Sequence, residues 1–88
     1  MIFVELLSVP GCDACVRLRA VLARVTSDLP HVTVKEVDLA EHPEVAARYQ
    51  VMACPAVAVG GRVQFVGGVD ERRLRQLLTQ SPDRTEVP

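Results

Sequence analysis

The sequence predicts an α/β fold with the element order β-α-β-α-β-β-α and a four-stranded mixed sheet flanked by three helices. Three observations lead to this prediction. An apolar, β-favouring segment runs from Met1 to Ser8 and stops at Pro10-Gly11. A helical pattern follows it directly, and the Gly60-Gly61 pair separates two short apolar runs as a hairpin turn does.

The first helix is predicted from Cys12 to Val25. Apolar residues recur there at i, i+3, i+4 and i+7, which places Leu18, Val21, Leu22 and Val25 on one face. Because this helix lies between two predicted strands, the segment is a βαβ crossover, whose strands are parallel.

The remaining elements follow from turn residues and short apolar runs. Pro43 suits the first turn of a helix, where its missing N–H has no partner to lose. Asp70 is a suitable cap for a last helix that buries leucines against the sheet. The predicted elements are strand Val32–Asp38, helix Pro43–Tyr49, strands Ala56–Val59 and Arg62–Val66, and a helix from Asp70 to Thr79 with Leu74, Leu77 and Leu78.

Length and composition limit the classes of function. The 88 residues suffice for one domain, predicted over 1–79, with 80–88 as a flexible C-terminal tail. A net charge of -1 and little aromatic content give no sign of nucleic-acid binding. Apolar runs are far below the roughly 18 residues of a membrane helix, and Met1–Leu7 lacks a basic start. We therefore expect a cytoplasmic monomer with no membrane segment.

The chemistry-bearing motif is Cys12-Asp13-Ala14-Cys15, preceded by Pro10-Gly11. It lies where a predicted strand passes into a helix, and a helix N-terminus has unpaired N–H groups and positive dipole character. Both favour a thiolate over a thiol, so a cysteine there has a lowered pKa. Cys12 is expected to be the exposed attacking thiol and Cys15, one turn further in, the resolving thiol.

Two other interpretations of the pair stay open. A C-x-x-C pair also binds zinc, but a structural zinc site needs four ligands, and the other candidates are Cys54, His31 and His42. Inert buried cysteines are the second alternative. The strand–C-x-x-C–helix context favours redox chemistry over both.

Three motifs in this order resemble the thioredoxin superfamily over about residues 1–79. They are the Pro10–Cys15 segment, the Met52–Val57 segment with Cys54-Pro55, and the Gly67-Gly68-Val69-Asp70 run. The last of these resembles glutaredoxins and short glutaredoxin-like thioredoxins. The resemblance implies a thioredoxin fold and thiol–disulfide oxidoreductase activity, with no resident cofactor.

The resemblance also implies roles for individual residues. Cys12 attacks a substrate disulfide and Cys15 resolves the mixed disulfide. Pro55 is expected in the cis form against this pair, with the backbone of Cys54 pairing with an extended substrate. The implied substrate-contacting residues are Pro10, Gly11, Cys54, Pro55, Gly68 and Asp70. Asp70 has two possible roles, a helix cap or a contact to the γ-glutamyl end of glutathione, and Tyr49 is expected to pack.

The sequence departs from the superfamily pattern at three positions. Asp13 places a negative charge beside the attacking sulfur, although an acid also stabilises a first helical turn. Leu6 stands where thioredoxins carry a buried acid, and the neighbouring Glu5 is expected on the opposite face. Cys54 precedes the expected cis-proline. Three roles are open for it: a small apolar filler, a third reactive thiol, or a ligand for a soft metal.

The expected function is therefore reduction of protein disulfides by dithiol exchange. The partners are disulfide-containing proteins, with a flavin-dependent thioredoxin reductase or glutathione as the electron source. The alternatives are a soft-metal or iron–sulfur binding protein that uses Cys12, Cys15 and Cys54, and a non-enzymatic interaction module, against which the intact pair argues.

Overall fold

The elements of the chain follow one another in the predicted order. The computed structural model describes residues 1–79, so the tail predicted over 80–88 lies outside the described residues. The elements are β1 (Ile2–Ser8), α1 (Asp13–Thr26), β2 (Val32–Asp38), α2 (Pro43–Tyr49), β3 (Ala56–Val59), β4 (Arg62–Val66) and α3 (Glu71–Thr79). The predicted α/β fold class is confirmed.

The four strands form one mixed sheet in the order β2-β1-β3-β4. Strand β1 pairs in parallel with β2, as the predicted crossover requires, and antiparallel with β3. Strand β4 pairs antiparallel with β3 across the Gly60-Gly61 turn and forms the far edge. Strand β1 is therefore central, and its C-terminal end leads directly into α1.

The two faces of the sheet carry separate apolar clusters. Alternation along β1 sends Val4 and Leu6 to one face and Leu7 to the other. The first face packs against α1 and α3, and the second against α2. The cluster on the first face contains Leu18, Leu22 and Val25 of α1 and Leu74 and Leu78 of α3, whereas Val21 and Leu77 are only partly buried.

Helix α3 closes the larger cluster. Leu74 and Leu78 are one turn apart and fully buried, so the helix is held by apolar packing. Arg24 of α1 also forms an ion pair with Glu71 of α3 at 2.8 Å, but both side chains are substantially exposed and the pair adds little. None of the helices in the described part of the chain combines the length and apolarity of a membrane crossing.

Candidate active site

The redox pair lies at the start of α1. Cys12 and Cys15 form a disulfide, with their Cα atoms 5.2 Å apart. Cys12 has extended backbone angles and is the N-cap of the helix, and its Sγ accepts a hydrogen bond from the backbone N–H of Cys15 at 3.0 Å. A helix-terminal N–H is thus already directed at the sulfur that the sequence predicts to be the attacking one.

The two sulfur-bearing residues differ in their accessibility. Cys15 is only 1% exposed and belongs to the buried residues of α1. Cys12 is half-buried and lines an open cleft. An incoming disulfide therefore meets Cys12 first, while Cys15 is shielded from everything except its partner.

The turn between β1 and α1 exposes Cys12. Pro10 and Gly11 are both exposed and line the same cleft as Cys12. Gly11 has a φ of 74°, a left-handed conformation that favours glycine. Glycine therefore allows the chain to turn from the strand into the helix at this position.

Pro55 lines a groove together with Ala14, which lies between Cys12 and Cys15 in the motif. The Cys54–Pro55 peptide bond is cis, which confirms the isomer that the resemblance implied. The proline ring is fully buried, and its carbonyl accepts a 2.7 Å hydrogen bond from the N–H of Gly67. This bond fixes the loop before β3 against the glycine loop after β4.

Two clefts flank the redox pair. The β2 cleft, of about 290 Å³, is lined among others by Pro10, Gly11, Cys12, Asp13, Glu36 and Asp38. The α1 groove, of about 250 Å³, is lined among others by Arg17, Leu18, Val21, Pro55, Gly67 and Gly68. Of the predicted site residues, Pro10, Gly11 and Cys12 line the β2 cleft, and Pro55 and Gly68 line the α1 groove.

A polar network that the sequence did not predict borders the β2 cleft. Arg19 of α1 donates two hydrogen bonds of 2.7 Å to the Glu36 carboxylate, and the buried Ser8 hydroxyl donates a third at 2.8 Å. The Arg19 guanidinium lowers the pKa of Glu36, so this carboxylate is ionised and already paired. Arg19 and Ser8 lie 17 and 28 residues from Glu36 in the sequence. Predicting these contacts from the sequence would have required knowledge of the β1–β2 register.

Cys54 does not join the redox pair in a metal site. Its half-buried side chain packs against the α2-side cluster that contains Leu7 and Ala56, and burial raises the pKa of its thiol. Among residues 1–79, no group of three or more His, Cys, Asp and Glu side chains is arranged to hold a metal ion. The packing fits the small apolar filler, and nothing in the structure supports the three-sulfur site.

Gly68 and Asp70 lie close in sequence but differ in their surroundings. Gly68 is exposed in the wall of the α1 groove. The Asp70 carboxylate accepts the backbone N–H of Arg73 at 3.3 Å, and the Asp70 carbonyl accepts that of Leu74 at 2.9 Å. The structure therefore gives Asp70 the capping role, one of the two that the sequence left open.

A core residue occupies the strand position at which thioredoxins carry a buried acid. Leu6 is 1% exposed and packs on the α1 face. Glu5 is 9% exposed, and its carboxylate accepts a hydrogen bond from the Tyr49 hydroxyl of α2, on the opposite face as predicted. Tyr49 therefore does more than pack, since it supplies a partner for a buried carboxylate.

The fold and the cysteine pair define the class of protein. A four-stranded mixed sheet, a disulfide at the N-terminus of the helix after its central strand, and a buried cis-proline loop are the features of a thioredoxin-fold thiol–disulfide oxidoreductase. The sequence model of the family described as a thioredoxin domain matches residues 2–79. The chain belongs to this family and is a thiol–disulfide oxidoreductase.

Individual proteins agree with this assignment. The chain is 31% identical over 76 residues to a thioredoxin of Methanocaldococcus jannaschii, covering 85% of this chain and 89% of that protein. It is 37% identical over 73 residues to a thioredoxin of Chlamydia trachomatis, covering 78% and 72%. Its fold resembles oxidised mitochondrial thioredoxin 3 of Saccharomyces cerevisiae with a TM-score of 0.74 and 21% identity, covering 88% and 76%.

Proposed function

We propose that this protein reduces disulfide bonds in other proteins by dithiol exchange, with Cys12 as the attacking thiol and Cys15 as the resolving thiol. The observation that supports this proposal most directly is the position of Cys12 as the N-cap of α1. There its half-buried side chain lines an open cleft, and its sulfur accepts a hydrogen bond from the Cys15 N–H at 3.0 Å. Hydrogen bonding to a thiolate stabilises it over the thiol. Cys15, which is buried, has no such access to an external disulfide.

The reaction takes place in two exchange steps. The Cys12 thiolate attacks one sulfur of the substrate disulfide, forms a mixed disulfide and releases the other substrate sulfur as a thiolate. Cys15 then gives up its proton and attacks the Cys12 sulfur, which closes the Cys12–Cys15 disulfide and releases the second substrate thiolate. Two electrons pass to the substrate, whose two thiolates take up protons. The disulfide in the structure corresponds to the oxidised product of this sequence.

The substrate segment is proposed to lie beside the pair against Pro10, Gly11, the Cys54–Pro55 backbone and Gly68. Strand β3 begins at Ala56, so Cys54 and Pro55 precede the β1–β3 ladder. Backbone groups that lie outside a ladder are available to pair with an extended chain. Met52, two residues before Cys54, is 96% exposed and presents an apolar side chain next to this segment.

The electron source remains part of the proposal. A flavin-dependent thioredoxin reductase is favoured by the two thioredoxin relatives. Glutathione is the other candidate, with its γ-glutamyl end at the Gly68–Asp70 segment, but the Asp70 carboxylate already caps α3 there. We further propose that the protein acts as a monomer in the cytoplasm, since a dithiol donor needs a compartment that keeps thiols reduced.

Cysteine variants test the proposed mechanism. With dithiothreitol as the reductant, release of thiols from a disulfide-bonded protein is measured for the wild type, Cys12→Ser, Cys15→Ser and, as the matched control, Cys54→Ser. Cys12→Ser is expected to lose activity. Pre-reduced Cys15→Ser, mixed with the substrate after dithiothreitol has been removed, is expected to accumulate a mixed disulfide that added dithiothreitol then releases. Cys54→Ser is expected to retain activity. Turnover in Cys12→Ser would overturn the mechanism.

The electron source is tested separately with the wild type. Turnover is compared between thioredoxin reductase with NADPH and glutathione with glutathione reductase. The first system is expected to sustain turnover. Turnover with glutathione alone would assign the protein to the glutaredoxin-like branch and reject the reductase.

A further inference from the structure

Arg17 differs from the other arginines of α1. Arg19 pairs with Glu36 and Arg24 pairs with Glu71, so both are neutralised within the molecule. Among the residues that the structure describes, no carboxylate lies within salt-bridge distance of Arg17, which is exposed and lines the α1 groove. The α1 groove therefore contains a cation that forms no ion pair within residues 1–79.

Gly68 leaves room for a chain to approach this groove. Gly11, Gly60, Gly61 and Gly67 all have positive φ values, which account for glycine at those positions. Gly68 does not, and a Cβ built on it meets no atom within 4 Å. Neither backbone conformation nor internal packing requires glycine there, and the absence of a side chain permits close approach of an external backbone.

The opposite side of the redox pair has the opposite charge. In the β2 cleft, Glu36 is compensated by Arg19, but Asp13 and Asp38 have no basic partner within residues 1–79. Asp38 thus repels an acidic substrate side chain on the β2 side of Cys12, and Arg17 attracts one on the α1 side. Asp13 does not add to this contrast, because it lies one helical turn from Arg17 on the same face of α1. The two clefts together give a bound substrate a preferred direction.

The spacing between Cys12 and Arg17 along α1 indicates which substrate residue faces Arg17. Arg17 is five residues beyond Cys12, or about 7.5 Å along a helix axis at 1.5 Å per residue. An extended chain covers about 6.8 Å in two residues. For a substrate chain that runs alongside α1 from Cys12, a residue two positions from the reacting cysteine lies at the level of Arg17.

We propose that Arg17 is a specificity-determining residue that selects protein disulfides with an acidic side chain two residues from the reacting cysteine. This inference rests on the proposed function and names its substrate class. Arg17 binds the carboxylate, while the substrate backbone passes over Gly68. The step is one of recognition, and the exchange chemistry at Cys12 is unchanged by it.

The test uses symmetrical peptide disulfides that differ in one residue. Glu, Gln or Lys is placed two positions before or two positions after the cysteine, and the rate constant of reduction by the reduced full-length protein is measured. The variants are Arg17→Gln, Arg17→Glu and the matched control Arg62→Gln. Arg62 is an exposed arginine at the far end of the sheet and has no ion pair within residues 1–79.

The wild type and Arg62→Gln are expected to prefer the Glu peptide over the Lys peptide by roughly two- to fivefold in at least one of the two placements, as exposed ion pairs allow. Arg17→Gln removes the preference, Arg17→Glu reverses it, and high salt weakens it in the wild type. Equal rates for all peptides in the wild type, or an unchanged preference in Arg17→Gln, would overturn the inference while leaving the proposed function intact. No reduction of the Gln peptides by the wild type would overturn both.

Discussion

The hydroxyl of Tyr49 on α2 donates a hydrogen bond to the carboxylate of Glu5 on β1. The two residues are 44 positions apart, and their contact joins the central strand to the helix on the face opposite α1. A carboxylate that is 9% exposed requires a partner, because an unpaired buried polar group is costly. The pair therefore connects α2 to the sheet by a polar contact within an otherwise apolar cluster.

Removing the hydroxyl is expected to destabilise the fold without affecting the redox chemistry. Tyr49→Phe keeps the ring but leaves Glu5 unpaired, which costs about 1–3 kcal/mol of unfolding free energy. Urea denaturation of the oxidised protein measures the loss. Disulfide reduction at a temperature where the variant is fully folded is expected to match the wild type, and an unchanged midpoint would contradict the assigned role.

The same contact predicts a loss of stability at alkaline pH. The hydrogen bond to Glu5, and secondarily burial, raise the pKa of Tyr49 above its ordinary value of 10.0. The unfolded chain thus releases the Tyr49 proton at lower pH than the native protein does. The contribution of this hydrogen bond to the free energy of unfolding is therefore complete below about pH 10 and is lost as the pH rises through the native pKa. The difference in unfolding free energy between wild type and Tyr49→Phe should therefore shrink above pH 10. A difference that stays constant above pH 10 would argue against a stabilising role for the Tyr49 hydroxyl proton.

Cys54 is expected to react slowly as a thiol. Burial raises its pKa above the ordinary 9.0, which lowers its thiolate fraction near neutral pH. With Cys12–Cys15 kept oxidised at pH 8, iodoacetamide should label Cys54 several-fold more slowly in the native protein than in urea. Cys54→Ala gives the background, and equal rates in both states would show that Cys54 is not shielded.

Adjacent glycines provide a test of the α1 groove. Gly67 has a φ of 84°, so Gly67→Ala is expected to cost roughly 1–2 kcal/mol of stability. Gly68→Ala meets no atom within 4 Å and is expected to leave stability unchanged, but to lower the rate of reduction of protein disulfides. Thermal unfolding and the reduction assay separate the two effects. Full activity of Gly68→Ala would argue against contact between substrate and this wall.

Helix α1 offers a matched pair of core and surface positions. Leu22 is 1% exposed in the main cluster, and Leu22→Ala is expected to cost about 2–5 kcal/mol of unfolding free energy. Val16 is 55% exposed on the same helix, and Val16→Ala is expected to stay within about 0.5 kcal/mol of the wild type. Denaturant midpoints compare the two, and similar losses would contradict the assigned core.

The fold was predictable because its signals are local and consistent. The stripe of Leu18, Leu22 and Val25 specifies α1, and the Gly60-Gly61 turn specifies the β3–β4 hairpin. Such signals need only the residues of one element and its neighbours. The redox pair was predictable for the same reason, since Cys12 and Cys15 lie in a single helical turn.

The parts that could not be predicted depend on contacts between distant residues. Glu36 meets Arg19 and Ser8 only because β1 and β2 pair in a register that sets Leu6 beside Glu36. The cis bond at Pro55 came from the family resemblance, since no local pattern distinguishes it from a trans proline. Likewise, nothing in the sequence around Tyr49 indicates that its hydroxyl meets Glu5.

Cys12 is at once the residue that begins α1 and the residue that carries the reactive sulfur. Any change there alters local folding as well as chemistry, so the choice of replacement matters. Serine is among the preferred N-cap residues, whereas alanine is not. Cys12→Ser therefore removes the redox chemistry while leaving the helix start intact, but Cys12→Ala would mix a loss of reactivity with a frayed first turn. Because the Cys12 sulfur both caps α1 and carries out the exchange, its reactivity depends on the integrity of the first turn of this helix.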